Sequence, residues 1–166
     1  MLAVAACAVL VCTACVPEVY REQPKSPVIA LVSDGSGDLW IAVATCGYTV
    51  EKVRVAPSDD FRDVFDGASF APLEPFNGDV LLVPVRDPAP GFSVDLNGVV
   101  VADLEDAPLA GAYFAPELGM IATAVFESIP EPGRALYYRA GGALVHGPFA
   151  DFRDWADECP PLSSTT

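Results

Sequence analysis

From Pro27 onward, short apolar stretches alternate with glycine- and proline-rich breaks, and most of them keep the two-residue period of a strand. Pro27 to Ser33 is one apolar run and Asp38 to Cys46 is the next. Asp34-Gly35-Ser36-Gly37 lies between them with turn chemistry, so the pair predicts a hairpin. In the second run Leu39, Ile41 and Val43 alternate with Trp40, Ala42 and Ala44, which makes both faces apolar and predicts a strand covered on both sides. Gly47 breaks that run. Tyr48 to Ala56 then sets Val53 and Val55 against Lys52 and Arg54, the pattern of a half-buried strand.

Asp79 to Arg86 is strand-like, but Pro84 has no N–H for a ladder bond and predicts an edge or a bulge. Phe92, Val94 and Leu96 alternate up to Asn97-Gly98, a dipeptide suited to the two positive φ angles of a type I′ turn, so Val99 to Leu104 is expected to complete a hairpin. Gly119 to Phe126 and Arg134 to Ala140 add two strands. Gly141-Gly142 then turns the chain into Ala143 to His146. The stretch Pro108 to Gly119 reads as a loop, with Tyr113 and Phe114 as candidate contact residues.

Two segments carry a helical period instead. After Pro148, suited to a first helical position, Phe149, Phe152 and Trp155 share one face while Asp151, Asp154 and Asp157 lie elsewhere. Cys159 and Pro160-Pro161 end that helix. Ser58 caps a shorter turn in which Phe61, Val64 and Phe65 face inward, closed by Gly67. Asp60-Phe-Arg-Asp63 and Asp151-Phe-Arg-Asp154 are identical, but their flanks share no register, and coincidence explains them better than a repeat. About nine short strands with one or two short helices predict a mainly β fold, an antiparallel sandwich of general immunoglobulin-like shape or a partly open barrel. The immunoglobulin signature itself is missing, because Trp40 precedes Cys46 and no tyrosine stands two residues before Cys159.

The first fifteen residues break this pattern. Met1 to Cys15 is uncharged and apolar, and polar, proline-bearing sequence follows from Val16. A spanning helix needs about 20 apolar residues, so the run is too short to cross a bilayer and fits an export signal. With small residues at Thr13 and Ala14 before Cys15, it resembles a bacterial lipoprotein signal. That resemblance implies cleavage before Cys15 and acylation of its thiol, which holds the chain to a membrane. Plain cleavage at the same small residues and a retained segment are the alternatives, and Val4-Ala5-Ala6-Cys7 is set aside as the lipidation site because processing there would leave apolar Ala8 to Val11 on the mature chain. The chain thus divides into a signal over 1–14, an extended tether over 15–26, one domain over 27–160 and a tail over 161–166. Pro17, Pro24 and Pro27 favour extended backbone, giving a reach of roughly 30 to 40 Å from the anchor.

The domain also loosely resembles actinobacterial secreted proteins of unassigned activity, with one cysteine ending an early strand and another near the C-terminus. That likeness brings no activity with it.

Charge and cysteines narrow the picture further. Twenty-three acidic residues against nine basic ones give a net charge of −14, which excludes nucleic acid as a natural partner. Of the five cysteines, Cys7 and Cys12 belong to the signal and Cys15 to the anchor, so Cys46 and Cys159 remain. Two cysteines in an oxidising compartment are expected to pair. Closing a loop of about 110 residues contributes about 4 to 5 kcal/mol in the chain-entropy account.

Candidate chemistry is sparse. His146 is the only histidine, at a strand end where a surface role is expected, and no Gly-x-Ser-x-Gly elbow or phosphate-cradling loop occurs. Asp34, Ser36 and Asp38 alternate as in an EF-hand, but the glycine and glutamate positions of that loop hold Leu39 and Thr45, and a hairpin turn explains the residues. Asp59, Asp60, Asp63 and Asp66 are a second acidic group, whose first two members suit a helix start. No metal or cofactor is expected. The leading expectation is a non-enzymatic envelope domain that binds a protein, peptide or glycan. The alternatives are a secreted hydrolase using scattered carboxylates and a protease inhibitor presenting the Pro108 to Gly119 loop.

Overall fold

The computed structural model describes residues 27–57, 67–76, 78–86, 88–104, 108–114, 120–139 and 142–159. Strands β1 (Val28–Ser33) and β2 (Leu39–Ala44) form the expected hairpin, in register from Val28 opposite Ala44 to Ser33 opposite Leu39. Strand β3 (Val50–Pro57) crosses to a second sheet and pairs with β4 (Ala68–Pro72). The chain returns to the first sheet as β5 (Val80–Pro84) and crosses again as β6 (Phe92–Asp95). A 3-10 turn over Val101–Leu104 leads into the pair β7 (Pro108–Phe114) and β8 (Met120–Val125). The hairpin of β9 (Arg134–Tyr138) and β10 (Leu144–Pro148) completes the first sheet, and helix α1 (Phe149–Glu158) follows at once.

The result is two antiparallel five-stranded sheets, ordered β10-β9-β1-β2-β5 and β6-β4-β3-β7-β8. They face each other as a sandwich and do not close into a barrel, so the barrel alternative is set aside. Between them lies the main core. Ile29, Leu31, Ile41, Val43, Val83 and Leu136 of the first sheet meet Val53, Val55, Phe70, Ala110 and Ala112 of the second, all fully buried or nearly so. The other face of the first sheet carries Ala30, Val32, Ala42, Ala44, Ala135 and Tyr137, and α1 covers it with Phe152 and Ala156. The alternation in β2 therefore reports two separate cores on one strand. Pro84 sits on an edge strand, where its missing N–H disturbs no ladder.

Several expectations need correcting. Asn97 and Gly98 both take positive φ, 48° and 83°, and the Val99 N–H closes the turn on the Leu96 carbonyl at 2.8 Å. The turn forms but the hairpin does not. The chain winds into the 3-10 turn that buries Leu104 in the core, and β6 pairs with β4 instead.

Ala68–Pro72 is a strand for which the sequence pattern holds no signal. Pro108–Phe114 is likewise a strand, hydrogen-bonded to β3 on one side and β8 on the other, so Tyr113 and Phe114 end a central strand rather than tip a loop. Its Leu-Ala-Gly-Ala sequence has low strand preference, and pairing on both sides overrides that preference. Pro148 stands one place before the first helical residue, as the N-cap. The proposed turn of Ser58, Phe61, Val64 and Phe65, and the acids Asp59, Asp60, Asp63 and Asp66, lie outside the described residues, as do the signal, Cys15, the tether and the tail.

Cys46 and Cys159 are joined by a disulfide, with Cα atoms 5.5 Å apart across 113 positions of sequence. The expected pairing holds. Cys46 and Gly47 both have positive φ, and the Tyr48 N–H bonds to the Thr45 carbonyl at 3.0 Å. The turn that carries the chain from the first sheet to the second thus holds one end of the bridge, and the C-cap of α1 holds the other.

Candidate functional site

The chemistry-bearing side chains gather at the end of the first sheet opposite the disulfide. The β1–β2 turn sets the geometry there. The Asp34 carboxylate accepts hydrogen bonds from the Ser36 hydroxyl at 2.6 Å, the Ser36 N–H at 2.8 Å, the Asp38 N–H at 3.0 Å and the Trp40 indole at 3.4 Å. The Ser36 hydroxyl does most to hold the Asp34 carboxyl below its ordinary value, and the two N–H groups and the indole add to it against the opposing cost of desolvation. This is how a turn satisfies its own acid, and Asp34 acts as the hairpin's clasp.

Beside the turn, a cleft of about 500 Å³ is lined by Ser36, Asp38, Trp40, Pro84, Arg86 and Ile129, among others. The Arg86 guanidinium lies 5.9 Å from the Trp40 ring centroid and 3.8 Å from the Asp38 carboxylate. Both members of that ion pair are at least half exposed, so the pair contributes about 0–1 kcal/mol and leaves the guanidinium donors open to other acceptors.

A second cleft of about 380 Å³ adjoins the first through Ile129 and is lined by Glu131, Arg134, Leu136 and His146. The connection before β9 is fastened here, because the Gly133 N–H donates to the Ser33 carbonyl at 2.8 Å and to the Asp34 carbonyl at 3.1 Å. Arg134 donates to the His146 carbonyl at 3.2 Å, which ties β9 to β10 at the same rim.

The rim therefore joins residues from four separate stretches of chain: Ser36 to Trp40, Pro84 to Arg86, Ile129 to Arg134, and His146. It offers an indole edge, two guanidinium groups, carboxylates and one exposed aliphatic side chain, Ile129, on a shallow surface. Such a mixture suits contact with a polar surface. The Ser36 hydroxyl is engaged by a carboxylate rather than an imidazole, and His146 stands in the neighbouring cleft, so the two do not form a nucleophile–base pair.

Among the described residues no three His, Cys, Asp or Glu side chains come together as a metal site. A third, more open depression on the helix side is lined by Arg139, Asp151, Asp154, Trp155 and Glu158.

Sequence reasoning named few of these residues. His146 and the Asp34 turn were visible as residues, but Arg86, Arg134 and Ile129 carry no motif and meet only through strand pairing. Tyr113 and Phe114 lie elsewhere, opposite Lys52 and Val50 of β3. Cys46 and Cys159 clasp the far end of the sheet. Their bridge fits an oxidising, extracytoplasmic setting, and no helix among the described residues is long and apolar enough to cross a membrane. No family model matches the chain, and neither curated proteins nor solved structures give a significant match.

Proposed function

We propose that this chain is an exported, lipid-anchored domain of the bacterial cell envelope that binds a protein, peptide or glycan through the rim around Ile129. The observation that carries this reading is the way the five cysteines divide. With Cys46 and Cys159 bonded, the three remaining cysteines all lie in the apolar leader, and Cys15, which ends it after Thr13 and Ala14, is the one placed for acylation. A thiol carrying acyl chains gains about 0.8 kcal/mol for each CH₂ it buries, and two or more chains make the hold stable. The tether from Cys15 then lets the domain stand clear of the bilayer, where the rim meets other envelope components.

Two alternatives fare differently. An inhibitor presenting Pro108 to Gly119 loses most of its loop to β7. A hydrolase working through paired carboxylates requires two acids facing one bound sugar. At the rim Asp38 and Glu131 line separate clefts, and the three acids that do share a depression, Asp151, Asp154 and Glu158, lie on a more open surface, so contact is the better-supported role.

The test uses cells that make the chain with a photo-crosslinking residue at position 129 and are fed labelled palmitate. Label should enter the wild type and not Cys15→Ser, and irradiation should join position 129 to an envelope component. The same residue at Val100, exposed away from the rim, should capture far less. Equal labelling of Cys15→Ser would overturn the anchor, and equal capture from both positions would overturn the rim.

A further inference from the structure

The outer face of the first sheet is covered by a helix that is poorly equipped to stay there by itself. Pro148 gives α1 no side-chain cap bond, and the helix leaves β10 without a connecting loop. Its last turn holds Asp157 and Glu158 and no basic residue, which opposes the negative end of the helix dipole. Ten residues are too few for an isolated helix to persist in water, so packing must hold α1 in place. That packing is thin. Phe152 and Ala156 are the helix side chains fully buried, Phe149 and Trp155 are only partly so, and four of the six buried sheet residues beneath them are alanines, the others being Val32 and Tyr137. The Tyr137 ring rises among them, 5.2 Å from Phe152 and 5.4 Å from Trp155 between centroids, and its buried hydroxyl finds no hydrogen-bond partner among the described residues. Burying that group unpaired works against docking.

What fastens the far end is covalent. Cys159 caps α1 in the left-handed region, φ 42°, and Cys46 is also left-handed at φ 54°, conformations that L-residues other than Asn and Asp seldom take. Both cysteines are partly exposed, so a thiolate in solution can reach the bridge.

We propose that the Cys46–Cys159 bridge is a redox latch on α1: its reduction frees the helix from the first sheet while the two-sheet sandwich stays folded. The reductant is a dithiol. One of its thiolates attacks one sulfur of the bridge and forms a mixed disulfide, and the other sulfur leaves and takes up a proton. The second thiol of the reductant then displaces the mixed disulfide. Two electrons and two protons pass to Cys46 and Cys159, and the reductant becomes a disulfide. Opening uncovers Ala30, Val32, Ala42, Ala44, Ala135 and Tyr137, an apolar trough closed in the oxidised protein, so the surface that the domain presents depends on thiol chemistry around it.

The test is hydrogen exchange on the oxidised full chain before and after dithiothreitol, with alkylation and mass mapping to confirm that both thiols are free. Reduction should abolish protection of the Phe149 to Glu158 amides, shift tryptophan emission to the red and leave β1, β3 and β7 protected. Removing the reductant and reoxidising should restore the starting state. The double variant Cys46→Ser, Cys159→Ser should match the reduced protein without reductant. Should that variant fail to fold, reduction of already folded protein still decides the matter. Persistent protection of α1 with both thiols free would overturn the latch. Simultaneous loss across β3 and β7 would overturn it equally, since the bridge would then hold the whole domain.

Discussion

On its inner face the first sheet meets a second sheet, and on its outer face it meets one ten-residue helix. The inner contact is made of large side chains. Leu31, Ile41, Val43, Phe70, Phe126 and Leu136 are at most 1% exposed and come from five different segments. The outer contact has a smaller buried centre, Ala30, Val32, Ala42, Ala44 and Ala135 with Tyr137 and Phe152, and its other large side chains, Trp40, Val145, Phe149 and Trp155 among them, are only partly buried.

Apolar burial stabilises by about 25 cal/mol per Å², so a face of alanines gains much less than a face of leucines and phenylalanines. Small residues do let the helix axis lie close to the sheet. The price is a weak docking energy, which the disulfide supplements. One sheet thus has a face that specifies the fold and a face that closes conditionally.

Truncation on each face exposes the difference. Phe70→Ala empties a fully buried ring site between the sheets and should lower unfolding free energy by about 3–5 kcal/mol in urea titration. A loss under about 1 kcal/mol would mean that the inner core does not carry the fold.

Phe152→Ala removes a ring that is equally buried and that contacts Phe149, Trp155 and Tyr137. Its cost is capped by the energy of docking α1, so about 1–3 kcal/mol is expected, with the loss of protection confined to the helix. In reduced protein, where the helix is already free, the same change should cost almost nothing. Additive effects of reduction and Phe152→Ala would contradict the idea that both act on one docking step.

The faces also differ in how plainly the sequence announces them. Strict alternation in Leu39 to Ala44 and in Val53 to Val55 identified two-faced and one-faced strands, and Phe149, Phe152 and Trp155 marked the buried side of α1. Large apolar residues at a regular period leave one economical arrangement. Strands β4 and β7 escaped detection because Ala-Ser-Phe-Ala-Pro and Pro-Leu-Ala-Gly-Ala lack branched residues, and partners distant in sequence hold them.

The Asn97-Gly98 turn was legible, but its exit was not. Where the chain goes after Gly98 depends on the pocket that takes Leu104, and on Asn97 itself, whose side-chain amide donates to the Gly67 carbonyl at 3.0 Å. The rim was the least visible feature, since Arg86, Ile129, Arg134 and His146 reach one edge of the molecule only after all five strands of the first sheet pair.

The smallest effect belongs to the two ends of the first sheet, one clasped by a disulfide and the other by the Asp34 carboxylate. Asp34→Asn keeps the shape of the side chain and an acceptor for the Ser36 and Asp38 N–H groups, but removes the charge that strengthens those bonds. In the folded protein the Asp34 carboxyl is held below its ordinary value, chiefly by the Ser36 hydroxyl. A group whose native value is lowered contributes stability above the unfolded value and loses it as pH falls through the native one. The wild type should therefore be slightly more stable than Asp34→Asn at pH 7, by the same margin down to about pH 5, and the margin should begin to shrink near about pH 4 and vanish only as pH falls through the lowered native value, where the folded carboxylate takes up its proton. Thermal unfolding of both proteins across that range measures the margin directly. A difference that persists unchanged at acid pH would show that the hairpin end depends on side-chain shape alone, and that charge has no part in the clasp.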